Sequence, residues 1–153
     1  MECTKISSII REVEEEEGHS RTIIVGDLNM NPFEKGMVAA SGFHGTMSRD
    51  IAVKGYRTLN GVKHQFFYNP MWNFLGDNNE TPGSYYYNSS EQINYYWGLF
   101  DQVLVRPQLL QNFNTNDVKV LSSDGSQSLL NSNSIPNKNI YSDHLPILFS
   151  LEF

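Results

Sequence analysis

The spacing of apolar side chains predicts a helix and then a buried strand at the start of the chain. Residues 4–17 predict an amphipathic helix because four apolar side chains recur at helical spacing: Ile6, Ile9, Ile10 and Val13. Glu14 to Glu17 form an acidic end that is expected to face solvent, and the helix is expected to stop near Gly18, since carboxylates oppose the dipole at a helix C-terminus. The β-branched run at 22–26 is typical of a buried strand.

The rest of the chain predicts one more helix and several strands. Asn31 offers an N-cap and Pro32 a first helical position, so a short helix is expected over 33–41. Apolar or aromatic runs predict five further strands, at 65–68, 84–87, 99–105, 118–121 and 145–153. The strand at 99–105 carries Asp101 among apolar neighbours, and the Ser- and Asn-rich segment 122–139 predicts a loop.

Length and charge narrow the class of protein. A chain of 153 residues is the size of one domain, and its net charge of −6 argues against capture of nucleic acid by charge alone. No run reaches the roughly 20 apolar residues of a membrane-spanning helix, and no secretion signal is recognisable, so a cytoplasmic or otherwise intracellular protein is expected. The single cysteine, Cys3, excludes an internal disulfide framework and a cysteine-based zinc site.

Three polar clusters lie beside predicted strands, where an α/β sheet commonly presents side chains to a ligand. They are Gly26-Asp27-Leu28-Asn29, Asp101-Gln102 and Ser142-Asp143-His144. Each cluster alone also fits a structural role: a turn that caps backbone amides, an edge acid facing water, or a polar loop. Each cluster is therefore weak evidence for a functional site when it is considered alone.

Taken together, the three clusters resemble motifs of the endonuclease/exonuclease/phosphatase superfamily, a group of metal-dependent phosphodiesterases. The resemblance rests on IIVGDLNMNP, LFDQVLV and YSDHLPILFSLEF. It implies an α/β fold in which residues 1–153 form a single partial domain. That domain would be the C-terminal half of a two-sheet, four-layer αββα sandwich with mostly antiparallel sheets and flanking helices.

The resemblance also implies a role for each polar residue. Asp27 would orient and deprotonate the attacking water and contribute to metal binding. Asn29 would hydrogen-bond that water or a phosphate oxygen. Asp101 would accept a hydrogen bond from one ring nitrogen of His144, so that the other nitrogen can donate to a phosphate oxygen. Asp143 would lie close to the metal, for which Mg²⁺, or Mn²⁺ in its place, suits oxygen ligands and a phosphate.

The chain departs from the family pattern in its first half. Family members carry an Asn on a first strand and a metal-binding Glu upstream of these motifs, and the only upstream acids here are Glu2, Glu12 and Glu14 to Glu17. The expected site is therefore incomplete, and one sheet is expected to expose an apolar surface unless a missing N-terminal half or a second copy covers it. The phosphodiester substrate, a nucleic acid or a phospholipid headgroup, stays open.

An alternative function is a non-catalytic binding or assembly module derived from the same fold. Its binding surface would be the Tyr- and Asn-rich loops, and convergence of the polar clusters in one cleft would distinguish the enzyme from the module. The aromatic runs around 85–87 and 95–97 fit either sheet packing or stacking against a base or sugar.

Overall fold

The protein has a mixed α/β fold, described by a computed structural model for residues 2–153. Within these residues the helices are α1 (Glu2–Glu17), α2 (Lys35–Val38) and α3 (Arg49–Ala52), with 3₁₀ turns at Pro70–Phe74, Pro107–Asn112 and Thr115–Asp117. The strands are β1 (Ile23–Asp27), β2 (Gly45–Thr46), β3 (Tyr56–Leu59), β4 (Val62–Gln65), β5 (Phe67–Tyr68), β6 (Tyr85–Tyr87), β7 (Tyr96–Gly98), β8 (Asp101–Val105), β9 (Lys119–Val120) and β10 (Ile147–Leu148). None of the helices in residues 2–153 has the length and apolar character needed to cross a bilayer.

A four-stranded sheet in the order β1-β8-β5-β2 organises the fold. β1 and β8 are antiparallel and pair without interruption from Ile23 opposite Val105 to Asp27 opposite Asp101. β8 is also antiparallel to β5, whereas β5 and β2 are parallel. The remaining strands form three antiparallel pairs, β3-β4, β6-β7 and β9-β10. The β1-β8 register places two carboxylates opposite each other at one end of the sheet.

Alternating side chains of this sheet bury two apolar clusters, one on each face, as the period of a strand requires. Leu104 and Phe67 belong to the cluster that also contains Cys3 of α1 and Met37 of α2. Their strand neighbours belong to the larger cluster, which includes Val103, Val105, Tyr68, Met71, Leu109 and Phe113. Because β8 pairs with β1 on one side and with β5 on the other, it is a central strand, and the interpretation of Asp101 as an acid on an edge strand is wrong.

The predicted amphipathic helix is present as α1, but the face of the helix that packs against the protein is not the face that carries most of its isoleucines. Cys3 and Ser7 are buried, and Ile10 is partly buried against the apolar cluster around Met37. Ile6, Ile9 and Val13, which lie on a neighbouring stripe, are exposed. The small side chains allow α1 to approach the chain near Ser41, whose carbonyl accepts a hydrogen bond from the Ser7 hydroxyl at 3.1 Å.

Glu14 is not part of a solvent-facing acidic end, contrary to the sequence interpretation. Its carboxylate forms an ion pair with Arg106, at 2.8 Å from Nε, and the two side chains are 9% and 3% exposed. The Arg106 guanidinium also donates to the carbonyl of Phe66 at 3.1 Å and lies 3.8 Å from the centre of the Phe67 ring. Burial lowers the pKa of Arg106, and Glu14 opposes that effect by holding the charged form.

Several predicted elements are longer than the observed ones. The helix expected over 33–41 is reduced to α2, and its N-cap is Glu34 rather than Asn31. The strand expected over 145–153 is reduced to β10 and an isolated bridge between Leu151 and Phe113. Asp101 lies at the start of β8, not in its middle.

Candidate active site

The two carboxylates at the end of the β1-β8 pair define a candidate active site. Asp27 is the last residue of β1 and Asp101 is the first residue of β8, and the two are direct partners in the register. Direct cross-strand partners hold their Cβ atoms about 4.5–5.5 Å apart. The sheet therefore fixes the spacing of the Asp27 and Asp101 Cβ atoms, and the orientation of each carboxylate depends on its own hydrogen bonds.

The turn that follows Asp27 orients the carboxylate of that residue. Gly26 has φ +143°, a backbone conformation that residues other than glycine rarely adopt. Asn29 has φ +50°, which asparagine tolerates better than most residues. The Asn29 backbone amide donates to Asp27 Oδ1 at 2.9 Å, and the Asn29 side-chain amide donates to Asp27 Oδ2 at 3.3 Å. Both oxygens of Asp27 are thus oriented by one residue of the same turn.

Buried amides hold this turn against the start of β8. Asn31 Oδ1 accepts a hydrogen bond from the Leu99 backbone at 2.9 Å. Gln102, which is fully buried, donates through Nε2 to the Met30 carbonyl at 2.5 Å and accepts from Asn69 Nδ2 at 2.8 Å. Removing either amide would leave a buried backbone group unpaired, which is costly. Gln102 therefore has a positioning role, whereas its motif neighbour Asp101 faces the site.

His144 connects the two carboxylates. Its Nδ1 donates to Asp101 Oδ2 at 2.8 Å, and its Nε2 lies 4.0 Å from Asp27 Oδ2. The hydroxyl of Ser142 accepts from the His144 backbone amide at 3.0 Å and shapes the loop that carries the imidazole. The hydrogen bond predicted between Asp101 and His144 is therefore present. Since a carboxylate only accepts, this bond assigns the proton on Nδ1 and leaves Nε2 facing Asp27.

Ser84 belongs to the same hydrogen-bonded group and was not identified from the sequence. Its hydroxyl donates to Asp101 Oδ2 at 2.6 Å and accepts from the Asp101 backbone amide at 3.2 Å. Its carbonyl accepts from the Leu145 amide at 2.7 Å, which ties the residue after His144 to the same strand. Ser84 is fully buried. A single serine before an aromatic strand has no motif by which sequence alone could assign this role.

Tyr85 forms one wall of the site beside the imidazole. Its ring lies 4.5 Å from the His144 ring, centre to centre, and the two residues form an isolated β-bridge. Burial raises the pKa of the Tyr85 phenol above its usual value, and the charges of Asp143, Tyr87 and Asp27 act in the same direction. The phenol therefore stays protonated at neutral pH and remains a hydrogen-bond donor.

Asp143 lies outside this hydrogen-bonded group. It is exposed and makes no hydrogen bond or ion pair within residues 2–153, although its charge acts on Tyr85. The structure thus brings four of the sequence-predicted residues together, Asp27, Asn29, Asp101 and His144. The fifth, Asp143, is adjacent in sequence but does not share those contacts.

The donor set fits Mg²⁺ only in part. No group of three or more His, Cys, Asp or Glu side chains in the described part of the chain is arranged to hold a metal ion. Mg²⁺ is commonly bound by one or two carboxylates together with water and substrate phosphate, so a complete protein cage is not required. Asp27, exposed and oriented by Asn29, and the exposed Asp143 are the carboxylates in residues 2–153 that this role suits.

A cavity of about 410 Å³ opens beside the imidazole and provides space for a ligand. Asp101 and His144 contribute its polar part, and Leu129, Tyr141 and Pro146 are among the residues that form the rest. Concave sites with mostly apolar walls and a few converging polar groups are typical of small-molecule binding sites. The cavity therefore leaves room for a small ligand in contact with Asp101 and His144.

Comparisons of this chain with models of protein families, with curated proteins and with solved structures found no match. The functional interpretation therefore depends on the motifs and on the geometry of Asp27, Asp101 and His144.

Asp101→Asn is expected to leave the fold intact and to loosen the orientation of His144. An amide can donate as well as accept, so it no longer enforces the proton on Nδ1. Circular dichroism should match the wild type, whereas ¹⁵N shifts of the His144 ring should change from one tautomer to a mixture. Asp77→Asn, at an exposed loop position, is the matched control. Unchanged His144 shifts in Asp101→Asn would contradict the positioning role of this carboxylate.

Proposed function

We propose that this chain carries the water-activating and phosphate-binding part of a metal-dependent phosphoric-ester hydrolase that acts on phosphodiesters. The observation that carries the proposal is the position of His144, hydrogen-bonded to Asp101 at 2.8 Å and facing Asp27 across 4.0 Å. A side chain held rigidly by one carboxylate and directed at another is an arrangement suited to proton transfer and charge stabilisation. Structural packing alone does not require it.

The gap between Asp27 and His144 suits a bridging water molecule, which can donate to the Asp27 carboxylate and accept from the His144 ring. A separation of 4.0 Å is longer than a direct hydrogen bond and is the range in which a bridging group is expected. A water held at Asp27 would lose its proton to that carboxylate as it attacks phosphorus in line with the leaving oxygen. The attack places additional negative charge on the nonbridging oxygens, and that charge must be stabilised.

His144 and Asn29 would provide that stabilisation. In its protonated form, His144 donates from Nδ1 to Asp101 and from Nε2 to a phosphate oxygen. Asn29 already donates to Asp27 from its backbone, and its side-chain amide can turn to the water or the phosphate. Hydrogen bonds placed before the reaction stabilise the transition state without the cost of reorganising solvent.

Mg²⁺, with Mn²⁺ as a substitute, is the metal proposed for this site. It would supply Lewis-acid stabilisation of the phosphoryl oxygens, a role that suits a chain with few basic side chains. Asp27 and Asp143 would provide its protein ligands within residues 2–153, and further ligands would come from water, substrate and a carboxylate outside these residues.

The fold proposed for the complete enzyme is a four-layer sandwich in which this chain supplies one half. Exposed apolar side chains support a covering partner, since Ile6 and Ile9 of α1 and Val25 of β1 are open to solvent. β1 is also at the edge of its sheet in the described residues, with β8 on one side. An N-terminal half or a second copy of the chain is the proposed occupant of this surface.

The proposal predicts metal-dependent hydrolysis of bis-p-nitrophenyl phosphate, a phosphodiester that makes few demands on specificity. With Mg²⁺ or Mn²⁺ we expect turnover by the wild-type chain, as a dimer or together with the half that supplies the remaining carboxylate, and a loss of at least about 100-fold in Asp27→Ala, since the base that activates water is gone. Release of p-nitrophenolate is the measurement. Asp77→Ala removes an exposed carboxylate elsewhere and should retain full turnover.

Turnover that persists in Asp27→Ala, or that does not need a divalent cation, would contradict the assigned chemistry. A folded sample without turnover would instead favour the non-catalytic binding module, or an enzyme that needs its other half. Adding a separately produced N-terminal half distinguishes these two outcomes, because only the second would gain activity.

A further inference from the structure

A continuous run of aromatic rings leads away from the imidazole of His144. In the β6-β7 hairpin, Tyr85 pairs with Gly98 and Tyr87 pairs with Tyr96. Direct partners, and residues two apart on one strand, share a face of a hairpin, so these side chains lie on one face. Tyr85 is 4.5 Å from His144 and is stacked with Tyr87 at 6.3 Å and an interplanar angle of 10°.

Gly98 allows this run of rings to close against the sheet. Phe100 stacks on Tyr85 at 5.2 Å. A Cβ at position 98 would lie 2.8 Å from the Phe100 ring, too close for any side chain to fit without displacing it. The glycine opposite Tyr85 is therefore a requirement of the aromatic packing.

The outer rings of this run remain open to solvent. Tyr87 is 59% exposed and Tyr96 is 52% exposed, and both line a groove of about 290 Å³ together with Tyr95 and Asn94. We call this hollow, bounded by Tyr85, Tyr87, Asn94, Tyr95, Tyr96 and Phe100, the aromatic groove. Core packing explains buried rings, but it does not explain tyrosines that are more than half exposed beside a polar site.

The aromatic groove is held in shape before any ligand arrives. Asn94 donates to Asn88 Oδ1 and to the Ser89 carbonyl, each at 3.0 Å, and accepts from the Tyr96 amide at 2.9 Å. Tyr96 has φ +61°, a left-handed backbone conformation that is unfavourable for a bulky residue and occurs more often at functional positions. A loop fixed by these hydrogen bonds, with a tyrosine in an unfavourable conformation at an open groove, supports a role in binding.

We propose that the aromatic groove binds the base of a nucleotide whose phosphate lies at His144, which makes a single-stranded nucleic acid or short nucleotide the substrate of the hydrolase proposed above. The inference rests on that proposed function for the position of the phosphate. Tyr85 contacts both the imidazole and the groove, so a group bound there is adjacent to the reacting phosphate. A phosphodiester with a planar ring beside it is the chemistry of a nucleotide.

Charge supports a single strand rather than a duplex. The chain has a net charge of −6, and no Lys or Arg is among the described residues that line the groove. Duplex binding depends on many contacts between basic side chains and phosphates, whereas stacking on aromatic rings binds unpaired bases with little need for charge. Stacking also tolerates every base, so weak discrimination among the four bases is expected.

Binding of AMP measured by isothermal titration calorimetry tests the groove without requiring catalysis. We expect Tyr96→Ala to weaken AMP binding about tenfold, the scale of one lost stacking interaction. Tyr96→Phe keeps the ring and should bind AMP as the wild type does. Tyr56→Ala removes an exposed tyrosine from the separate β3-β4 pair and should have no effect. Ribose 5-phosphate, which lacks the base, should bind more weakly than AMP to the wild type and equally to all variants.

Three results would overturn the inference: AMP bound equally by wild type and Tyr96→Ala, ribose 5-phosphate bound as tightly as AMP, or glycerophosphoinositol preferred over AMP. The last would identify a lipid headgroup as the ligand. AMP binding that is lost in Tyr96→Ala supports the base site even when no hydrolysis is detected, and the absence of hydrolysis then counts against the proposed function alone. Hydrolysis by a chain whose AMP binding does not depend on the Tyr96 ring would count against the base site alone.

Discussion

The His144→Ala variant is expected to hydrolyse phosphodiesters about 10²- to 10⁴-fold more slowly than the wild-type chain under the conditions in which that chain, or its complex with a complementing half, is active. The imidazole is the group that can reach a phosphate oxygen while it is held by Asp101. Alanine removes the donor and leaves the strand pairing of Asp27 and Asp101 unchanged. The loss should therefore appear in kcat, measured by steady-state release of p-nitrophenolate.

Two controls separate this effect from a change in folding. His19→Ala removes an imidazole just after α1, remote from the β1-β8 carboxylates, and should retain wild-type turnover. Thermal unfolding should show that His144→Ala remains folded, because His144 is only partly buried. Wild-type turnover in His144→Ala would remove this residue from the mechanism.

The Glu14→Gln variant is expected to lose about 3–5 kcal/mol of unfolding free energy, the range for breaking a buried ion pair by removing one partner. Arg106 cannot give up its charge, and its guanidinium is almost completely enclosed, with Phe67 on one side and the Phe66 carbonyl on another. Glutamine keeps the size of the side chain but leaves that charge uncompensated. Urea denaturation at neutral pH is the measurement.

Neighbouring acids provide the comparison. Glu16→Gln alters an exposed carboxylate on the same helix, and we expect its unfolding free energy to stay within about 0.5 kcal/mol of the wild type. Combining Glu14→Gln with Arg106→Met should recover part of the loss, since replacing both charges removes the uncompensated one. Equal stability of Glu14→Gln and Glu16→Gln would show that the Arg106 charge is satisfied by its other contacts.

The position of Glu14 also shows why the sequence pattern cannot predict which of four consecutive glutamates is buried. Glu14 to Glu17 are identical in type and consecutive, and their helical environment predicts solvent exposure for all of them. Glu14 differs because the helix face that carries Cys3, Ser7 and Ile10 meets the sheet, and Arg106 follows β8 at that level. The same packing leaves Ile6, Ile9 and Val13 in solvent.

The strands that carry the candidate site were predictable, and so was one of its contacts. β1 and β8 overlap the predicted runs 22–26 and 99–105, with ends that differ by one or two residues. A strand of this kind is predictable because its signal, a β-branched or apolar run that ends in a turn, involves only residues close together in the sequence. The Asp101-His144 hydrogen bond was expected from the family resemblance and is present. The catalytic roles of these residues stay predictions.

Contacts between distant segments account for what the sequence alone could not predict. The β6-β7 hairpin and its bridge to His144 bring Ser84, Tyr85 and the groove at Tyr96 to the site. No motif or residue spacing in the sequence predicts that contact. Local pattern determines strand and helix because those depend on neighbours within a few residues. Which polar groups meet, which charge is buried and which rings stay open depend on packing between segments many residues apart, and only the tertiary structure decides them.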